Sequence, residues 1–185
     1  HRGRAYILAG ALDDARAQLR ALEADPVSTI GVAAVYRGIF EAELALAEHD
    51  WHRAHAITQQ VNASLRSQWL STMPAFLTMV DIPQAIARLG MARAGDRDAA
   101  KQALAIAKRT AARSKHSFYA ATALRLQAQA EQLLGNAQWR RTLDRAATGN
   151  MTRIDSLAIA AMRGERVDFG GFAPAVEWNT GGMVR

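Results

Sequence analysis

Cysteine is absent from the 185 residues, which excludes disulfides, thiolate metal sites and cysteine nucleophiles. Proline is scarce: four residues, at 26, 74, 83 and 174, leave long stretches free to be helical. Aromatic residues make up only 6% of a chain that is half apolar, so aliphatic side chains must supply most of the core. No run approaches 18 consecutive apolar residues, and no segment reads as a membrane span. The opening His1-Arg2-Gly3-Arg4 has no initiator Met and no apolar signal core. It reads as a cut through a longer chain, with the cytoplasm as the default location.

What fills the space is alanine, the best helix former and small enough to let helices approach closely. The expectation is an all-α protein with no sheet, built as one domain or one continuous helical array. Charge is uneven. Residues 1–82 carry 7 Arg/Lys against 9 Asp/Glu, whereas residues 83–166 carry 15 against 6. Such asymmetry marks either an anionic partner or a solvated, arginine-rich helix surface.

One short pattern recurs: a turn residue, then a small residue five positions later. The clearest copy is Gly95-Asp96-Arg97-Asp98-Ala99-Ala100, where Gly95 suits the end of one helix and Asp96 the N-cap of the next. The others begin at Gly10, His49 and Gly135, so the fifth-on positions are Ala15, Ala54, Ala100 and Arg140. After each elbow the apolar residues keep helical spacing, as in Trp51, Ala54, Ile57, Val61 and Leu65. Before the elbows, Ser28 or Thr29 is expected to cap a helix from about Ile30 to Glu48. Ser117 is expected to open another, through Phe118 to Leu134. Asp81-Ile82-Pro83 suggests a kink or restart in the longest segment. Thr152 is expected to cap a last helix to about Arg163. From residue 164 to 185 an irregular Gly/aromatic tail is expected, since Gly170, Gly171, Gly181, Gly182 and Pro174 are helix breakers.

The first copy, Gly3-x-x-Tyr6-x-x-x-Gly10-x-x-x-x-Ala15 followed by Leu19, Leu22 and Pro26, resembles a tetratricopeptide repeat. The resemblance covers roughly residues 3–163, and the long repeats are similar to the variant found in large bacterial signalling and transcription regulators. It departs at His49, in place of an elbow Gly, and at Arg140, in place of a small residue. It implies a right-handed superhelix of antiparallel hairpins, an α-solenoid, whose first helices line a concave groove.

Groove positions carried over from the family fall at Tyr36, Ile39 and Glu43, then at Ile82, Ala85 and Leu89, then at Thr122, Arg125 and Gln129. The implied function is non-catalytic recognition, with a protein or peptide as partner or a small-molecule effector. No cofactor is expected, and no membrane contact. A second reading is a scaffold or homodimer interface using Trp51, Trp69, Trp139 or the apolar tail. A third places nucleic acid on Arg97, Lys101, Lys108 and Lys115, which share one helix stripe but have no interleaved aromatics. His49, His52 and His55 with Asp50 invite a metal, yet residues 49 and 55 lie about 240° apart around a helix axis. No nucleophile elbow or phosphate loop is present, and Glu41 and Glu43 project to different faces, so no catalytic residue is assigned.

Overall fold

The chain stops its helices in one repeated way. At residues 10, 49, 95, 135 and 164 the backbone turns to positive φ. The next N–H then donates to a carbonyl five residues back: Ala11 to Tyr6, Asp50 to Ala45, Asp96 to Met91, Asn136 to Glu131 and Glu165 to Ala160. The turn residue itself donates three residues back, which completes a Schellman stop at every elbow. Gly95, at φ 108°, needs the freedom of glycine most. His49 holds φ 59° with a side chain in place. Past two of these stops a carboxylate starts the next helix, Asp50 accepting from the N–H of Arg53 and Asp96 from that of Ala99.

The computed structural model describes residues 2–180, and among them the secondary structure is entirely helical. The helices are α1 (Arg2–Leu8), α2 (Leu12–Ala24), α3 (Gly31–Ala47), α4 (Trp51–Ser67), α5 (Pro74–Arg93), α6 (Arg97–Arg113), α7 (Tyr119–Leu133), α8 (Trp139–Ala147), α9 (Arg153–Met162) and α10 (Ala173–Asn179). Short 3-10 turns precede α3, α5 and α10.

Several boundaries differ from the sequence reading. Pro83 does not break its segment: α5 runs unbroken through it, with the ring buried in the helix interior. The residue before α3 is Ile30, extended and without a side-chain cap. Ser28 instead turns its hydroxyl to the carbonyls of Leu22 and Asp25. Thr152 does cap α9, accepting from the N–H of Asp155 at 3.1 Å.

Helices pair in order as hairpins, α1 with α2 through α7 with α8, and each odd helix also packs back on the preceding even one. Odd helices touch one another in series from α1 to α9. The seams from α1 to α7 hold a main core that includes Ile7, Leu46, Leu65, Ile86, Leu89 and Leu126, and two smaller clusters sit around Leu143 with Ile159 and around Leu157 with Val176. Ala15, Ala54 and Ala100 are buried, as a close-packing role requires. The fourth elbow departs from this register. There α8 starts only at Trp139 and buries Thr142, Leu143 and Ala146. The shift leaves Arg140 in solvent, its guanidinium 5.3 Å from the Trp139 ring, because a charged side chain has no place in the seam.

The tail is not irregular throughout. Pro174 sits in the first turn of α10, where its missing N–H leaves no bond unmade. This helix folds back across the molecule to pack on α9, α3 and α1. Ala175, Val176 and Trp178 are buried by that contact. Gly181 and Gly182 lie outside the described residues.

Candidate functional site: the face of the odd helices

The face formed by α1, α3, α5, α7 and α9 is divided along its length. Toward the elbows, α10 covers parts of α1, α3 and α9 and reaches Arg125 of α7. Pro174 lies against Gly10, Glu177 stands 3.7 Å from His49, and the carbonyl of Asn179 accepts from Arg125 Nη1 at 3.1 Å. Trp178 joins the central core.

Arg125 and Gln129, on one stripe of α7, are fully buried beneath this cover. Arg125 Nε donates to Asp155 Oδ1 at 2.8 Å, and its Nη1 also reaches Gln129 Oε1 at 3.1 Å. Asp155 takes two further hydrogen bonds at 2.8 Å, from the hydroxyls of Thr122 and Thr152. Burial alone would raise its pKa, but the Arg125 charge and these three donors outweigh that and hold the carboxyl below its ordinary value. Leu89 and Ala85 of α5 are core residues. Arg125, Gln129 and Leu89 are therefore interior groups, Ile39 and Glu43 are buried as well, and Tyr36 is exposed.

The opposite half of the face is open. Tyr36, Ile39 and Glu43 line one side of a cavity of about 750 Å³ between α1, α2 and α3, with Met79 of α5 at its edge. Arg4 of α1 closes on Glu43 at 2.8 Å. Burial pushes the Glu43 carboxyl up, and the Arg4 charge and hydrogen bond only partly offset it. Beside the cavity, the Tyr36 ring meets Phe76 edge-on at 6.1 Å. Tyr119 comes from α7: burial raises its hydroxyl pKa, Arg4 opposes, and Glu43 and Tyr36 add to the rise. Three odd helices thus supply the Arg4–Glu43 and Tyr36–Phe76 contacts, and Tyr119 at the start of α7 stacks its ring on Phe118 at 3.9 Å.

The rim of this open half is unusually apolar. The segments that lead into α3, α5 and α7 expose Val27 (69%), Ile30 (71%), Trp69 (76%), Met73 (50%) and Phe118 (54%). Large apolar side chains grouped on one edge mark an interaction surface more than scattered ones do. Trp69 adds backbone strain: it holds φ 61° although it is not glycine. Of the three tryptophans noted in the sequence as interface candidates, Trp51 and Trp139 are half-buried and Trp69 alone is exposed.

Sequence reasoning did not find Arg4, Phe76 or Tyr119. The available signal was the run of large apolar residues just before each odd helix, which a reading centred on elbows passes over.

The basic stripe lies elsewhere. Arg97, Lys101 and Lys108 are exposed on α6, Lys101 pairs with Asp98 at 2.9 Å, and Lys115 falls two residues past the helix end. The three elbow-region imidazoles diverge: His49 faces Glu177, and His55 meets Arg88 at 2.7 Å. Among the described residues no group of three or more His, Cys, Asp and Glu is placed to hold a metal ion. No helix of the described residues is long and apolar enough to cross a membrane. Comparison with protein-family models, curated proteins and solved structures finds no match for this chain.

Proposed function

We propose that this protein is a recognition module of tetratricopeptide-like architecture, in which the odd helices line the concave side of a right-handed superhelix. Its open half holds a protein or peptide partner, and no chemistry is performed on it. The observation that carries this reading is the Tyr36–Phe76 ring pair beside the Arg4–Glu43 contact, together with the exposed apolar residues Ile30, Trp69, Met73 and Phe118. Aromatic side chains and arginine are enriched at interface centres. Within a larger bacterial regulator, such binding would be coupled to an output domain.

A test is selection of displayed peptides on the immobilised protein, followed by fluorescence anisotropy on the winners. Tyr36→Ala and Trp69→Ala should each weaken binding by about tenfold or more, with circular dichroism unchanged. Selected peptides that bind both variants as tightly as the parent would refute the assignment.

The exposure of Trp69 favours one second reading, a homodimer. Sedimentation that shows a dimer, dissociated by Trp69→Ala, would make a second copy the occupant of the rim.

A further inference from the structure

On the other side of the molecule, α4 and α6 stand apart over α5 and leave a cleft of about 820 Å³. Its walls are regular. The α4 wall is His55, Gln59, Asn62 and Arg66, spaced +4, +3, +4, so all four fall on one stripe of the helix. The α5 floor repeats that spacing through Leu77, Asp81, Gln84 and Arg88. The α6 wall repeats it again and ends in Arg109 and Arg113. Three stripes at helical spacing, polar but for Leu77, Ala105 and Ile106, face one space and are a built feature, not a gap left by poor packing.

Charge in this cleft is out of balance. Four guanidinium groups line it against one carboxylate, Asp81, and His55 stays neutral for reasons of burial given below. Asp81 is buried and fully used, accepting from Arg113 at 2.8 Å, from Arg109 at 3.2 Å and from the Thr110 hydroxyl at 3.1 Å. It therefore has nothing left to offer Arg66 or Arg88.

Arg88 is the informative residue. Its Nη2 lies 2.7 Å from His55 Nε2, and its Nη1 has only the Met91 sulfur, at 3.9 Å. An arginine only donates, so His55 Nε2 accepts and the ring proton sits on Nδ1. That Nδ1 and Arg88 Nε are both buried without a partner. Burial lowers the pKa of Arg88, which the charge of Asp96 only partly offsets, and burial with the Arg88 and His52 charges lowers that of His55. A half-buried cation whose nearest neighbour is a neutral ring, among three more cations, is costly as it stands. An incoming anion would remove that cost.

We propose that the cleft between α4, α5 and α6 is a binding site for a small phosphorylated ligand, of the sugar bisphosphate or polyphosphate class. Planar guanidinium forks match phosphate oxygens two at a time, which suits arginine over the lysines placed elsewhere on α6. Net positive charge of about three asks for more than one carboxylate or a single chloride. The volume exceeds that of an inorganic ion and lies within the range of small-molecule sites. Gln59, Asn62 and Gln84 supply amides for a hydroxylated body, and Asn62 already donates to Gln84 at 3.3 Å across the α4–α5 seam. Among the described residues no Phe, Tyr or Trp lines the cleft, so a stacked nucleobase has no platform there. The exposed stripe of Arg97, Lys101 and Lys108 lies roughly 120° around α6 from the cleft wall, so the two basic features are separate.

The test is isothermal titration of the full chain with inorganic pyrophosphate and, separately, fructose 1,6-bisphosphate. One site per chain is expected for at least one probe, with Arg88→Gln weakening it by about tenfold or more. Lys108→Gln, outside the cleft, should leave affinity unchanged. Arg66→Gln, on the exposed rim and in no ion pair among the described residues, guards against a folding defect and should weaken binding by about threefold or more. Binding of the bisphosphate alone supports a sugar-phosphate ligand, and binding of pyrophosphate alone supports a polyphosphate. No heat from either probe at millimolar concentration overturns the proposal. So does equal weakening by Lys108→Gln, or tighter binding of a single-stranded oligonucleotide than of either probe.

Discussion

The Arg125–Asp155 pair shows what a single residue does in this molecule. Both side chains are buried, and every oxygen of Asp155 is engaged. Removing the negative partner leaves a guanidinium stranded in the interior, so Asp155→Asn should cost about 3–5 kcal/mol in denaturant unfolding. The pH dependence has a definite sign. A carboxyl held below its unfolded value contributes stability above the ordinary carboxylate range and loses it as pH falls through the lowered folded value. Stability should therefore decline in acid, and Asp155→Asn should flatten that decline. Glu43 works in the opposite sense, because its raised carboxyl favours the folded state at low pH. Urea midpoints measured in a Glu43→Gln background isolate the Asp155 arm. At this scale the sequence was half legible. Thr152 was readable as the cap of a last helix, whereas the Arg125–Asp155 pair joins positions 30 apart, which no local spacing reveals. Arg125 read as a groove residue because its helix face was right. What covers that face comes from the tail.

At the scale of elements, the elbows were the most legible feature, because a Schellman stop needs only one residue at positive φ and a few local hydrogen bonds. Their offsets from the small residues at 15, 54 and 100 follow from how a second helix nests against the first. The register of α8 and the continuity of α5 through Pro83 were not legible, since tertiary packing decides both. The seam between α4 and α5 tests the packing argument. Trp51, the first residue of α4, lays its ring against Gly90 so closely that an added Cβ would overlap it. Gly90→Ala should destabilise the protein by about 1–3 kcal/mol, although alanine is the better helix former. Trp51→Phe introduced into that variant should recover part of the loss. A double-mutant cycle that gave strictly additive effects would show that the ring is not what excludes the side chain.

For the whole molecule, the decisive element is the one least legible in the sequence. Stacked hairpins contact only their neighbours, so such arrays lose coupling between distant repeats. Here α10 ties the ends together, resting on α9 while Pro174 reaches Gly10 and Trp178 enters the core shared by α1 and α3. The apolar tail was visible as an interface candidate, but the residues it reaches at 10, 49 and 125, through Pro174, Glu177 and Asn179, lie more than 50 positions away. The buried, unpartnered Trp178 Nε1, Arg125 Nη2 and Gln129 Nε2 make this seal less stable than a fully satisfied interface. Trp178→Ala should therefore do two separable things. It should cost about 3–5 kcal/mol by loss of a buried ring. It should also uncouple the ends, replacing one unfolding transition by a broader one with a smaller denaturant slope. Amide exchange locates the effect: protection should fall in the elbow-side halves of α1, α3, α7 and α9 and persist in the α5–α6 hairpin. Uniform loss of protection along all the helices would mean that α10 is merely one more packed helix and does not close the array.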